Sequence, residues 1–101
     1  MAKVFNKRFG APVGAVYCGR GSKWGNPFRI GVDGDRDAVI AKHERWLASQ
    51  PGLLGSLDDL RGKDLLCYCA PQRCHADLLL ELANDSRRAR IAWWRRARGQ
   101  T

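Results

Sequence analysis

Two apolar runs of different period meet across a cysteine-rich loop between Leu65 and Leu82. Asp64 to Cys69, with its apolar run Leu65-Leu66-Cys67-Tyr68-Cys69, has the length and composition of a buried strand. A tight loop, Ala70-Pro71-Gln72-Arg73, follows. From Cys74 the leucines Leu78, Leu79, Leu80 and Leu82 fall in a helical pattern that runs to about Asn84. An unbroken passage from strand through loop to helix is half of a βαβ unit, and it directs the chain toward an α/β layer fold. The edge between a strand end and a helix N-terminus is also where such folds build sites. Three of the four cysteines and one of the two histidines fall there, as Cys67, Cys69, Cys74 and His75.

Other elements fit the same class. Lys3 to Asn6 reads as a short strand, and Val13 to Cys18 as a second. Asp33 and Asp35 offer N-cap carboxylates for a helix reaching about Ser49, with Val39, Ile40, His43, Trp46 and Leu47 on its core face. Pro51 suits the first position of a second short helix whose buried face is Leu53, Leu54, Leu57 and Leu60. The expectation is a small single-domain, Rossmann-like layer fold, with a short, mostly parallel sheet flanked by helices. The order of strand pairing is not readable from the chain.

At 101 residues there is material for one modest core. No apolar run approaches a membrane span and no secretory leader pattern opens the chain, so reduced thiols in a cytoplasm are expected. The charge is uneven. Residues 1–86 carry 12 basic and 10 acidic side chains, whereas Arg87, Arg88, Arg90, Arg95, Arg96 and Arg98 supply the remaining six of the net +8. The division expected is a compact α/β domain over 1–86 and a basic C-terminal extension over 87–101.

The cysteine–histidine segment admits three readings. Cys67, Cys69, Cys74 and His75 could hold zinc, or the three cysteines an iron–sulfur cluster, with Cys18 or His43 completing either site only if the fold brings it near, although C-x-C-x4-C-H matches no standard spacing. Alternatively, Cys74 is a catalytic thiol, activated by a helix N-terminus and paired with His75 as proton shuttle. In the third, the cysteines are small buried hydrophobes and His75 is structural. A glycine-rich loop, Gly19 to Phe28, offers Arg20, Ser22, Lys23 and Asn26 as ligand contacts for an anion such as a nucleotide. It is neither a P-loop nor a dinucleotide fingerprint.

The pairing of Tyr17-x-Gly19-Arg20-Gly21-Ser22-x-Trp24-Gly25-Asn26-Pro27-Phe28 with Leu60-x-Gly62-Lys63-x-Leu65-x-Cys67-x-Cys69-x-Pro71-x-x-Cys74-His75 resembles domain-of-unknown-function family 4326 over roughly residues 3–84. The resemblance implies bacteriophage or mobile-element origin, hence the cytoplasm of a host bacterial cell, and a compact α/β domain, and it implies no particular activity. Cys18 stands where that pattern suggests an aliphatic residue, and the arginine-rich tail lies outside it. If the strands ending near Cys18 and Cys69 are parallel neighbours, Arg20, Asn26, Cys74 and His75 line one cleft. The resulting expectation is an accessory binding module for nucleotide, nucleic acid or a host partner. Its alternatives are a small nucleotide- or nucleic-acid-directed enzyme using Cys74 and His75, and a metalloprotein.

The tail invites a separate reading. Arg87 to Arg98 can form a helix with Ile91, Trp94 and Arg98 on one side. Trp93 and Trp94 could stack on bases while Arg87, Arg88, Arg90, Arg95, Arg96 and Arg98 contact phosphates or an acidic host protein. The competing expectation is that the tryptophans dock on the domain or across a homodimer.

Overall fold

In the computed structural model, residues 2–10, 12–69 and 72–99 are described. Three short strands, β1 (Val4–Asn6), β2 (Val16–Tyr17) and β3 (Leu65–Cys67), form a parallel sheet in the order β1-β3-β2. Val4 pairs with Leu65 on one side and Val16 with Leu65 on the other. The strand latest in sequence is therefore the central one, flanked by two strands that precede it. Leu65 and Cys67 alternate into the core while Leu66 is half-buried, the pattern expected of a central strand.

Helix α1 (Arg36–Ala48) begins where sequence chemistry places it, with Asp35 Oδ1 accepting the Ala38 amide at 2.9 Å. Its buried positions are Val39, His43, Leu47 and Ala48. Helix α2 (Pro51–Gly55) carries proline in its first turn, and a 3-10 turn over Leu57–Leu60 then buries both terminal leucines. Helix α3 (His75–Asn84) buries Ala76, Leu79, Leu82 and Ala83 along one face.

Helix α4 (Arg87–Arg98) is capped by Ser86, whose hydroxyl accepts the Ala89 amide at 3.1 Å. Trp93 and Ala97, four residues apart, enter the same core cluster as Leu47, Leu65 and Leu79. Trp93 and Ala97 lie inward, while Ile91 is 39% exposed and Trp94 is half-buried.

Two further predictions shift. The second strand is confined to Val16–Tyr17, and Val13 lies fully exposed ahead of it. The third stops at Cys67, leaving Tyr68 exposed and Cys69 half-buried beyond the sheet. No helix of the described residues is long and apolar enough to cross a membrane.

Candidate functional site

Parallel pairing puts the C-terminal ends of β2 and β3 side by side, so the glycine loop and the cysteine loop open on one edge of the sheet. Between them and the start of α1 lies a cleft of about 300 Å³. Its lining brings together Arg20 and Asn26 from the first loop and Cys69, Cys74 and His75 from the second. Arg29, Arg36 and Arg73 also line it, as do the apolar side chains Phe28, Ile30 and Ile40. Among the described residues, no acidic side chain is part of the lining. Arg29, Arg36 and Arg73 had no motif to announce them. The sole signal in the sequence was an excess of arginine around two loops that only the fold makes adjacent.

The glycine loop is largely occupied with holding its own shape. Ser22 Oγ donates to the Gly19 carbonyl at 2.7 Å, and Lys23 Nζ lies 5.2 Å from the centre of the Trp24 ring. Trp24 is buried, anchoring the loop in the core. Asn26 Nδ2 donates to the Val39 carbonyl at 3.0 Å while its Oδ1 accepts the Phe28 amide at 2.9 Å, a bridge from loop to α1. Ser22 and Lys23 are thus outside the cleft. Asn26 lines it as a positioning residue whose polar atoms already have partners. Arg20, exposed at the rim, is the contact from this loop that can reach a ligand.

The cysteine segment is packed more tightly than an activated thiol requires. Cys74, the N-cap of α3, is 5% exposed, and its sulfur lies 3.3 Å from that of Cys67. Its backbone amide donates to Asp77 Oδ2 at 3.0 Å. The hydrogen bond with Cys67 is the leading cause that raises the Cys74 thiol far above its ordinary pKa. Burial adds to it, and the Ala76 amide only partly offsets both. Burial beside the Cys67 sulfur thus works against the thiolate that the helix N-terminus favours at Cys74. The dipole contributes a modest term, and a neighbouring thiol in a dry setting outweighs it.

His75 is also engaged. Its Nε2 lies 2.5 Å from the Cys18 carbonyl oxygen. Burial lowers its pKa, with the Cys18 carbonyl and Asp77 opposing that shift and Arg20 reinforcing it. Behind it, the ring of His43 lies 4.9 Å away, centre to centre. Cys18, fully buried, donates its thiol to the Val16 carbonyl at 3.5 Å and is pushed up to about 12 by burial, then by Cys67, against the Leu66 backbone. The sulfurs of Cys67, Cys69 and Cys74 all lie within 4.8 Å of one another, and Cys18 is not among them.

On α4, several residues offered as a nucleic-acid surface hold the helix to the domain instead. Trp93 Nε1 donates to Glu44 Oε2 at 2.8 Å and Trp94 Nε1 to the Ala48 carbonyl at 3.0 Å. Arg90 donates to the Leu82 and Ala83 carbonyls, at 2.6 and 2.8 Å, and pairs with Asp58 at 2.9 Å. It therefore satisfies the last carbonyls of α3. Arg87, Arg88, Arg95, Arg96 and Arg98 remain exposed, Arg98 lying 4.7 Å from the centre of the Trp94 ring. A buried Trp93 cannot stack on a base without undocking.

Both motif loops and the strands that carry them lie within residues 4–85, the stretch matched by the family model described as "Domain of unknown function (DUF4326)". The chain belongs to this family. A relative in sequence is the "Uncharacterized 12.4 kDa protein in nrdA-td intergenic region" of Enterobacteria phage T4, 36% identical over 70 residues. That alignment covers 64% of this chain and 63% of the phage protein. No solved structure matches. The DUF4326 match ends at Asp85, so α4 lies beyond the family pattern although it packs into the same core.

Proposed function

We propose that this phage-type DUF4326 protein is a binding module whose cleft takes a phosphate-bearing ligand of nucleotide size. The observation that carries this reading is the convergence of Arg20, Arg29, Arg36 and Arg73 on one cleft free of acidic lining, at the C-terminal edge of a parallel sheet. Such an edge is the usual ligand position in open α/β sheets. Arginine suits phosphate because its planar fork forms paired, charge-assisted hydrogen bonds. The N-terminus of α3 opens beside it, at Cys74 and His75, where its dipole favours an anion while the Asp77 carboxylate on the Cys74 amide opposes one. Phe28, Ile30 and Ile40 give a base or sugar an apolar surface. The volume, about 300 Å³, is at the small end for ligand sites and fits a mononucleotide better than a duplex.

The arginines are not all equally available. Arg36 Nη1 donates to the Arg73 carbonyl at 3.0 Å, and Arg73 pairs with Asp37 at 3.0 Å. Arg20 is accordingly the residue to test. Titration of the full chain with a mononucleotide and with the matching nucleoside, followed by amide chemical shifts, separates phosphate recognition from adventitious stacking. The nucleotide is expected to bind and to shift amides around Arg20, Phe28 and His75, the nucleoside to bind much more weakly. Arg20→Ala is expected to weaken nucleotide binding about tenfold or more, the scale of a charged hydrogen bond. Equal binding of nucleoside and nucleotide, or an unchanged affinity in Arg20→Ala, would reject the reading.

A further inference from the structure

We propose that Cys67, Cys69 and Cys74 form a three-thiolate site for a single thiophilic divalent ion, zinc in class, whose fourth coordination position faces the cleft. The proposal stands on its own sulfur geometry and does not rest on the phosphate reading. Four ligands at zinc–sulfur distance, about 2.3 Å in a tetrahedron, place their sulfurs about 3.8 Å apart. The three sulfurs here already lie within 4.8 Å of one another, with Cys67 and Cys74 at 3.3 Å. Small rotamer adjustments bring all three to bonding distance of one point. An iron–sulfur cluster needs a wider arrangement, because its cysteines bind different irons around a bulky core.

The chain route explains how an unusual spacing makes the site. Cys67 closes β3, and Cys69 lies two residues on in the bend that follows, which brings its sulfur within 4.8 Å of that of Cys67. Cys74 arrives from the opposite direction as the N-cap of α3. A second feature is typical of metal thiolates: the Cys69 amide donates to the Cys67 sulfur at 3.4 Å, the kind of outer hydrogen bond that stabilises a ligand's charge. Three thiolates around a dication leave one net negative charge, which Arg20 at the rim of the cleft and the α3 N-terminus offset.

The other nearby ligand types are committed elsewhere. His75 Nε2 contacts the Cys18 carbonyl, and the Cys18 thiol contacts the Val16 carbonyl. Cys69 and Cys74 both line the cleft, so the position the protein leaves open is directed there, toward water or an oxygen of a bound ligand. Binding exchanges three thiol protons for the ion and involves no oxidation.

The test uses the full chain, reduced and metal-stripped, titrated with cobalt(II) in the absence of nucleotide and then challenged with zinc(II). One equivalent should bind, with the intense sulfur-to-cobalt charge transfer of three thiolates and a tetrahedral visible envelope, and zinc should abolish both. Cys69→Ser, at a half-buried position that spares the core, should weaken uptake by more than about 100-fold, beyond the roughly 10–100-fold that losing an outer hydrogen-bond partner costs. Its circular dichroism should match the parent. Cys18→Ala, outside the triad, should keep the parent cobalt spectrum. Sub-stoichiometric uptake, a weak octahedral spectrum, equal uptake by folded Cys69→Ser, or a brown iron–sulfur chromophore after anaerobic purification would each overturn the proposal. So would a reduced protein that binds no metal and yields only a Cys67–Cys74 disulfide in air. Nucleotide binding by metal-free protein would leave the phosphate reading standing whichever way the cobalt result falls.

Discussion

His43 sits where the helical period of α1 calls for a hydrophobe, and the structure treats it as one: it is fully buried, and neither ring nitrogen has a hydrogen-bond partner. The Trp24 backbone is near enough to favour the charged ring slightly, yet it is not placed to bond it. Burial first, then the neighbouring His75, pulls the His43 pKa from 6.5 down to about 3. A folded-state pKa below the unfolded one means that the unfolded chain takes up the proton first as pH falls. The contribution is therefore complete above about pH 6.5 and is lost progressively between there and about pH 3, at about 1.4 kcal/mol per pH unit. His43→Leu should flatten urea-denaturation stability across that window by one proton's worth of slope. At pH 7 it should stabilise by about 1 kcal/mol, because an unsatisfied buried polar group is replaced by an apolar one. Parallel pH profiles for parent and variant would show that His43 is solvated or partnered in solution.

At the scale of elements, the glycine loop shows how a motif can look like a ligand cradle and act as a brace. Gly25 is needed because a Cβ there would lie 2.7 Å from the Gly19 carbonyl oxygen, a backbone atom that cannot swing aside. Gly25→Ala should thus displace the Trp24 anchor and the Asn26 bridge together. The expected cost is about 1–3 kcal/mol in urea denaturation, the range of overpacking in a closed space. A variant with unchanged midpoint and unchanged Trp24 fluorescence would refute the brace. The helices were legible because their signals are local: Asp35 as cap, Pro51 at a first turn, the stripe of α3. Strand limits were less so, because apolar Val13 reads like a strand residue and lies in an exposed turn. The juxtaposition of Arg20, Cys74 and His75 followed from the sequence only under an assumed pairing. The contributions of Arg29, Arg36 and Arg73, and the use of Asn26, Arg90 and Trp93 as structural ties, depend on contacts between distant segments that no local pattern encodes.

For the molecule as a whole, the question is whether α4 is an appendage, as its charge suggests, or part of the fold. Composition changes sharply at Arg87, yet the core does not end there. Trp93 and Ala97 belong to the one cluster that also contains Leu47, Leu65 and Leu79. Trp94 Nε1 satisfies a carbonyl at the C-terminal end of α1, and Arg90 does the same for α3, so α4 closes two helix ends as well as covering apolar surface. Trp93→Ala should cost about 3–5 kcal/mol, the usual range for deleting a buried tryptophan. Arg88→Ala and Arg96→Ala, at exposed positions, should change stability by less than about 0.5 kcal/mol. Small domains hold only about 5–15 kcal/mol in total. Truncation after Ser86 removes Trp93, Trp94, Ala97 and the Arg90 ties at once, and should abolish cooperative unfolding. Circular dichroism and urea denaturation of residues 1–86 decide the matter. A truncated chain that unfolds cooperatively near the parent midpoint would make α4 a detachable basic arm and free Trp93 for an external partner. Loss of the transition would make the five exposed arginines, Arg87, Arg88, Arg95, Arg96 and Arg98, a charged face on an integral helix.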